Sequence, residues 1–113
     1  MEMVASTQSR RGDVVLVNLE PTKGEEIQKT RPCVVVSPDE INDYLRTYIV
    51  APVTTGGHSY PFRISCRFKG KSGHIVLDQI RTVDRDRFVR PLGRIPNGVL
   101  LNLLSVLQEM FAP

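Results

Sequence analysis

Several residue types are scarce in this chain of 113 residues, and each scarcity excludes a class of protein. The sequence has no tryptophan, two cysteines and two histidines. Cys33 and Cys66 lie in separate predicted strands and not at the paired spacing of metal ligands. We therefore expect buried free thiols, with neither a disulfide framework nor a zinc site. We predict no structural metal and no cofactor.

Long apolar segments are also missing. No stretch approaches the roughly 20 apolar residues that cross a bilayer. The first residues, MEMVASTQSR, lack the apolar centre of a secretory signal. From this we expect a cytoplasmic protein without a membrane partner.

The length suits one compact domain, and 41% hydrophobic with 24% charged residues is an ordinary globular balance. We expect a polar leader over residues 1–10 and one domain over residues 11–113.

The net charge of +3 is unevenly distributed. Residues 1–57 carry six Lys or Arg against eight Asp or Glu, whereas residues 58–113 carry nine against four. A basic second half is what a phosphate backbone prefers, although many proteins of other function share this charge.

Short runs rich in β-branched residues predict strands at 13–20, 32–36, 47–53, 60–66, 74–83 and 88–92. Residues 39–43 fit a helical turn, and residues 70–73 fit a reverse turn. Residues 21–30 form a polar loop that we expect to be mobile and functional. Apolar positions from Val99 onward recur at helical spacing, with Asn97 as the expected N-cap. The pattern predicts a mainly β fold, a small antiparallel barrel with a C-terminal helix.

Common catalytic motifs are absent: the sequence contains no His-Glu-x-x-His, no Walker loop and no nucleophile elbow. His58 and His74 lie in or beside predicted turns, where solvated or packing histidines are expected. The chemistry must then come from arginine, carboxylates and hydroxyls.

Several linked motifs resemble the MazF/PemK toxin family over residues 10–111, nearly the whole chain. They are RGDVVLV (11–17), PTKGEE (21–26), TRPCVVVSP (30–38), APVTT (51–55), YPF (60–62), VLDQIR (76–81) and PLG (91–93). The resemblance implies an SH3-like barrel of the CcdB/PemK type, a homodimer, and metal-independent cleavage of single-stranded RNA that leaves a cyclic phosphate.

Arg31 and Thr54 match the family's catalytic arginine and threonine, and Glu26 matches its loop glutamate. An arginine fork fits a phosphate, and a threonine at a strand end can donate one oriented hydrogen bond to it. Glu26 either accepts the 2′-hydroxyl proton or holds Arg31 in position. The acidic pair Glu25–Glu26 can equally be a solvated loop charge.

Asp78 and Gln79 match a family pair near the site, and Asp78 can instead brace backbone amides. The remaining candidates are expected to bind RNA by charge, hydrogen bonding or stacking, with Phe62 expected in the core. They are Lys23, Thr55, Tyr60, Arg63, Arg81 and Arg85.

The PemK branch of the family has a histidine where Glu25 stands here and an arginine where Val76 stands. The chain therefore resembles the chromosomal MazF branch more closely. The proton-transfer roles of PemK do not carry over, and the acid for the leaving group stays open.

The resemblance also implies an antitoxin whose acidic, disordered tail folds onto a basic groove. Two alternatives remain. One is a CcdB-like gyrase toxin, which the apolar tail 110–113 favours, and the other is an SH3-like module that binds RNA without cutting it.

Overall fold

The computed structural model of the protein describes residues 8–20, 24, 29–56 and 60–113. This part of the chain forms seven strands followed by one long helix, with a short helix after the second strand. The strands are β1 (Asp13–Asn18), β2 (Thr30–Val35), β3 (Thr47–Thr55), β4 (Arg63–Phe68), β5 (Lys71–Val76), β6 (Arg81–Asp84) and β7 (Phe88–Arg94), and the helices are α1 (Asp39–Asn42) and α2 (Asn97–Met110). The predicted mainly β fold with a C-terminal helix is confirmed.

All strand pairs are antiparallel, and the sheet has the order β4-β5-β3-β2-β1-β7, with β6 also paired to β3. The nine residues of β3 form the centre of this arrangement. Its first half pairs with β6 and its last residues pair with β5, while β2 runs along its other edge. The middle of β3 is thereby held from both sides at Val50, which pairs with Val35 and with Arg81.

The sheet buries apolar side chains on both faces. One cluster lies under α2 and contains Leu100 and Leu103 of that helix. The other contains Tyr48, Val83 and Leu19 and lies on the opposite face. Successive side chains of a strand enter the two clusters in alternation. This explains why β2 is a continuous apolar run rather than an apolar-polar one.

The predicted strand 74–83 is wrong as a single element. It divides into β5 and β6 around a 3-10 turn at Leu77–Gln79. The β3–β5 and β3–β6 ladders have different registers: Val53 pairs with Ile75, but Val50 pairs with Arg81. The three residues of the turn absorb this difference, and Leu77 at its start is fully buried. The run looked continuous because the turn carries an apolar residue in phase with the strand.

Three local predictions also need correction. The turn predicted at 70–73 is a two-residue turn at Lys69 and Gly70, whose φ angles of 51° and 79° are those of a type I′ hairpin. Asn97 is the first residue of α2, and Pro96 occupies the N-cap. Phe62 is not a core residue, since it has a φ of 64° and is 37% exposed.

Candidate functional site

Arg31 and Thr54 lie on neighbouring strands near the same end of the sheet. The β2–β3 ladder ends at the pair of Cys33 and Pro52, and Arg31 and Thr54 lie two residues beyond that pair on their own strands. Both residues line one cavity of about 450 Å³. The two side chains that the resemblance singled out are therefore brought together by β2 and β3 and not by a loop.

Within the described residues, the guanidinium of Arg31 makes no hydrogen bond or ion pair. The residue is partly buried at the edge of the second apolar cluster, since Arg31 pairs with the buried Val17 of β1. A guanidinium carries five N–H donors and stays charged at any working pH. An anion entering the cavity thus meets a cation whose donors other described groups do not occupy.

On its other edge, Thr54 is paired with β5. Thr54 pairs with His74 of β5, and His74 pairs in turn with Ser65 of β4. The Nδ1 atom of His74 lies 2.9 Å from the carbonyl oxygen of Gly56, which follows β3. Sequence reasoning did not select His74, because only the β3–β5 register shows that it stands beside Thr54.

The described lining of the cavity carries three cations, Arg31, Lys69 and Lys71, and no carboxylate. Both lysines belong to the β4–β5 hairpin, where Lys69 occupies the turn and Lys71 begins β5. Sequence reasoning missed them, although the Lys-Gly-Lys sequence at a turn was the available signal. Thr55, predicted to bind RNA, lines the same cavity.

Arg67 is another cation that sequence reasoning missed. β4 extends to Phe68, two residues beyond the predicted end, so Arg63, Ser65 and Arg67 alternate along one face. Arg67 is exposed, and its Nη1 lies 3.4 Å from Oγ of Ser72. The outer face of β4 and β5 is consequently more basic than the sequence indicated.

Arg63 and Asp78 form a two-pronged ion pair, with Nε to Oδ1 at 3.0 Å and Nη2 to Oδ2 at 3.1 Å. Hydrogen bonding to Arg63 lowers the pKa of Asp78, and the same bond raises the pKa of Arg63. Cζ of Arg63 also lies 4.8 Å from the ring centre of Tyr60. Three of the residues predicted to bind RNA or lie near the site thus form one surface cluster.

Arg81 and Gln79 lie where β3 changes partner. Arg81 pairs with Val50, and its Nη1 donates to the carbonyl oxygen of Leu19 at 3.2 Å. Burial raises the pKa of the nearby Cys33 thiol to about 12, and the charge of Arg81 opposes that rise. Gln79 ends the 3-10 turn and leads into β6 two residues later. Both cysteines are free thiols as predicted, but only Cys33 is buried; Cys66 is partly exposed, which corrects the expectation that both are buried.

Arg85 is not part of this arrangement. It lines a separate hollow of about 320 Å³ with Phe88 and Arg90, and among the described residues that hollow shares none of its lining with the cavity of Arg31 and Thr54. Glu26 and Lys23 lie outside the described residues, as do most of the predicted first loop and His58.

Among the residues that the structure describes, no group of three or more His, Cys, Asp and Glu side chains is placed to hold a metal ion. None of the helices in the described part of the chain is long and apolar enough to span a membrane.

A family model and several known proteins resemble this chain. The family model described as PemK-like, MazF-like toxin of type II toxin-antitoxin system matches residues 10–111. Endoribonuclease PemK of Escherichia coli is 37% identical, covering 88% of this chain and 80% of its own length. Endoribonuclease MazF of Staphylococcus epidermidis is 38% identical, covering 87% of each chain. These near-equal identities do not separate the two branches.

Solved structures of MazF from Deinococcus radiodurans share the fold. The toxin alone superposes with a TM-score of 0.79 at 30% identity, covering 90% of this chain and 94% of that one. A MazE-MazF structure from the same organism gives 0.75 at 29% identity, covering 91% and 95%. On the family model and on these relatives, the chain belongs to the family of PemK-like and MazF-like toxins of type II toxin–antitoxin systems.

Proposed function

We propose that this protein is a toxin endoribonuclease that cleaves single-stranded RNA at short sequences. The observation that carries the proposal is that Arg31 of β2 and Thr54 of β3 line one cavity, whose described lining is cationic. Relatives that are 37% and 38% identical are named endoribonucleases, which supports the same class of reaction here.

The chemistry follows from these side chains. Attack of a ribose 2′-oxygen on the adjacent phosphorus needs no covalent enzyme intermediate, only alignment and neutralisation of charge on the phosphoryl oxygens. Arg31 supplies that charge through two parallel hydrogen bonds, and the Thr54 hydroxyl donates a further one. The products are a 2′,3′-cyclic phosphate and a 5′-hydroxyl. Because Arg31 performs the neutralisation, no metal ion is required.

The basic outer face of β4 and β5 gives the RNA its path. Arg63 and Arg67 lie on the face that also bears Ser65, and Tyr60 is 52% exposed beside Arg63. Cations hold the phosphates, and an exposed aromatic ring offers a stacking surface for an unpaired base. Lys69 and Lys71 extend the positive surface to the cavity.

The partners are proposed on the same basis. A Deinococcus radiodurans relative has been solved as MazE-MazF, and this supports a cognate antitoxin for this chain. An acidic, disordered tail on that antitoxin would cover the cationic surface and compete with RNA. We further propose that the toxin is a homodimer and acts on messenger RNA in the cytoplasm, where it stops translation and growth.

The proposal is tested by incubating the purified chain with a long RNA in the presence of EDTA and sequencing the 5′ ends of the fragments. Cuts at one short motif, with 5′-hydroxyl and cyclic phosphate ends, are expected. Intact RNA, with the protein merely bound to it, would identify a binding module. Intact RNA with gyrase-dependent DNA breaks would identify a gyrase toxin.

A further inference from the structure

His74 occupies the position nearest to Thr54 on the next strand. The two residues are direct partners in the antiparallel β3–β5 ladder. Directly opposed side chains emerge on the same face with Cβ atoms about 4.5–5.5 Å apart. An imidazole therefore stands on the side of Thr54 that faces away from Arg31.

The ring of His74 is held in a defined orientation. Its Nδ1 lies 2.9 Å from the Gly56 carbonyl oxygen, and a carbonyl can only accept. Nδ1 must therefore carry a hydrogen, which leaves Nε2 as the atom that gains or loses a proton. The residue is partly exposed, so Nε2 is not sealed in the core.

The hollow beside His74 adjoins the cavity of Arg31 and Thr54. It has a volume of about 420 Å³, and it shares part of its lining with the other cavity. The shared residues are Cys66, Ser72 and Gly73. A nucleotide chain whose phosphate lies between Arg31 and Thr54 can thus continue past His74 without leaving the protein surface.

The charged groups around His74 suit the binding of a phosphate backbone. On β4, Arg63 and Arg67 flank the directly opposed Ser65, and Arg67 reaches Ser72 beside the ring. On the far side of Thr54 stands Arg31. The carboxylate of Asp78 is ion-paired with Arg63, which occupies both of its oxygens.

The other groups in the two cavities are poor proton donors near neutral pH. Serine and threonine hydroxyls are poor acids in water. Burial raises the pKa of the Cys66 thiol, which moves it further from that range. Imidazole is the side chain that most often transfers protons in catalysis, and among the described residues that line these cavities His74 is the one histidine.

We propose that His74 is the general acid of the cleavage reaction. The inference rests on the proposed function. In the step, the 2′-oxygen bonds to phosphorus and releases its proton to water or another base. The bond between phosphorus and the 5′-oxygen breaks, and that oxygen takes the proton from Nε2 of His74. The ring ends neutral, with Nδ1 still donating to Gly56, and regains its proton from water.

Two substrates and two variants test the proposal. The first substrate is an RNA that the wild-type protein cuts, and the second has sulfur in place of the bridging 5′-oxygen at the cut site. A thiolate leaves without protonation, so the second substrate does not need an acid. In His74→Asn, the amide nitrogen can keep the hydrogen bond to Gly56 but cannot supply a proton; in His74→Gln, that bond is lost as well.

We expect His74→Asn to cleave the ordinary RNA at least about 100-fold more slowly than the wild type, in line with the usual worth of a general acid. On the sulfur-bridged RNA it should approach the wild-type rate. Equal slowing on both substrates, or an unchanged rate on the ordinary RNA, would overturn the proposal. The cleavage rates of His74→Gln should match those of His74→Asn. A defect in His74→Gln alone would show that His74 only supports the strand through its hydrogen bond to Gly56, and this result would also overturn the proposal. Failure of the wild-type protein to cut either substrate would instead refute the ribonuclease activity.

Discussion

Gly73 of β5 lies so close to Thr54 of β3 that no side chain fits between them. A Cβ atom on Gly73 would overlap the carbonyl oxygen of Thr54 and would lie 3.2 Å from Cα of Thr55. Both are backbone atoms, so a change of rotamer cannot relieve the overlap. The absence of a side chain at Gly73 therefore lets β5 approach the backbone of Thr54 closely.

Replacing Gly73 by alanine should push β5 away from the end of β3. We expect kcat/KM for RNA cleavage to fall at least tenfold, about 1.4 kcal/mol of transition-state stabilisation, because Thr54 moves relative to Arg31. The free energy of unfolding should fall by about 1–3 kcal/mol, the usual cost of overpacking. Cleavage kinetics and denaturant unfolding measure the two effects.

Gly98→Ala is the matched control. Gly98 lies in the first turn of α2, and a Cβ there would meet nothing within 4 Å. Stability should stay the same or rise by up to about 1 kcal/mol, since alanine favours a helix over glycine. Activity should not change. Equal losses in both variants would show that the Gly73 effect has nothing to do with the approach to Thr54.

The ion pair between Arg63 and Asp78 should give stability a dependence on pH. Since Arg63 lowers the pKa of Asp78, the pair stabilises the folded state above the carboxyl group's ordinary pKa near 3.8 and stops doing so as pH falls through the lowered value. Asp78 is 45% exposed, so the contribution should stay below about 1 kcal/mol. Asp78→Asn should therefore be less stable than wild type at neutral pH, and the difference should shrink in acid. A difference that grows in acid would contradict this assignment.

Removing a cation from the basic surface should weaken RNA binding in a salt-dependent way. For Arg67→Ala and Lys71→Ala, the slope of log Kd against log salt should fall by about 0.7 each, the value for one phosphate contact on a single strand. Fluorescence anisotropy with an uncleavable 2′-deoxy oligonucleotide gives the slope. Arg46→Ala removes the same charge beside the opposite end of β3, where Arg46 pairs with Asp86, and it should leave the slope unchanged. A similar fall in all three variants would indicate net charge and not contact.

The two thiols should differ in reactivity. Cys33 is fully buried with a pKa of about 12, whereas Cys66 is partly exposed. Since thiolates are the reactive form, a thiol reagent at neutral pH should modify native Cys66 slowly and Cys33 only after unfolding. Mass spectrometry of labelled peptides measures both rates, and Cys66→Ser should abolish native labelling. Rapid labelling of native Cys33 would contradict its place in the second apolar cluster.

The strand pattern could be predicted because each strand is short and rich in β-branched residues, and α2 because its apolar positions repeat at helical spacing. The break at Leu77–Gln79 could not, since it depends on the register of β5 and β6 against β3. One sequence carries no information on that register. The same limit applies to the Lys69–Gly70 turn, where Gly70 and Gly73 both looked like turn residues although Gly73 is needed for a close strand approach.

The residues of the functional site could likewise be predicted only in part. Arg31 and Thr54 were found through motifs, and the structure places them on adjacent strands in a common cavity. His74 and Arg67 were missed because their significance is purely spatial: one stands across from Thr54, and the other lies in a part of β4 beyond the predicted end. Arg85 was included by charge alone, and it lines a different hollow.

The central claim is that the Arg31 guanidinium, together with the Thr54 hydroxyl, stabilises the phosphate during cleavage. Its most direct test is the single-turnover cleavage rate of Arg31→Ala, Arg31→Lys and Thr54→Val, with circular dichroism to confirm folding. Both arginine variants should lose at least about 100-fold, since a lysine ammonium cannot donate two parallel hydrogen bonds, and Thr54→Val should lose a similar factor. Folded variants that cleave RNA within a few-fold of the wild-type rate would contradict the account.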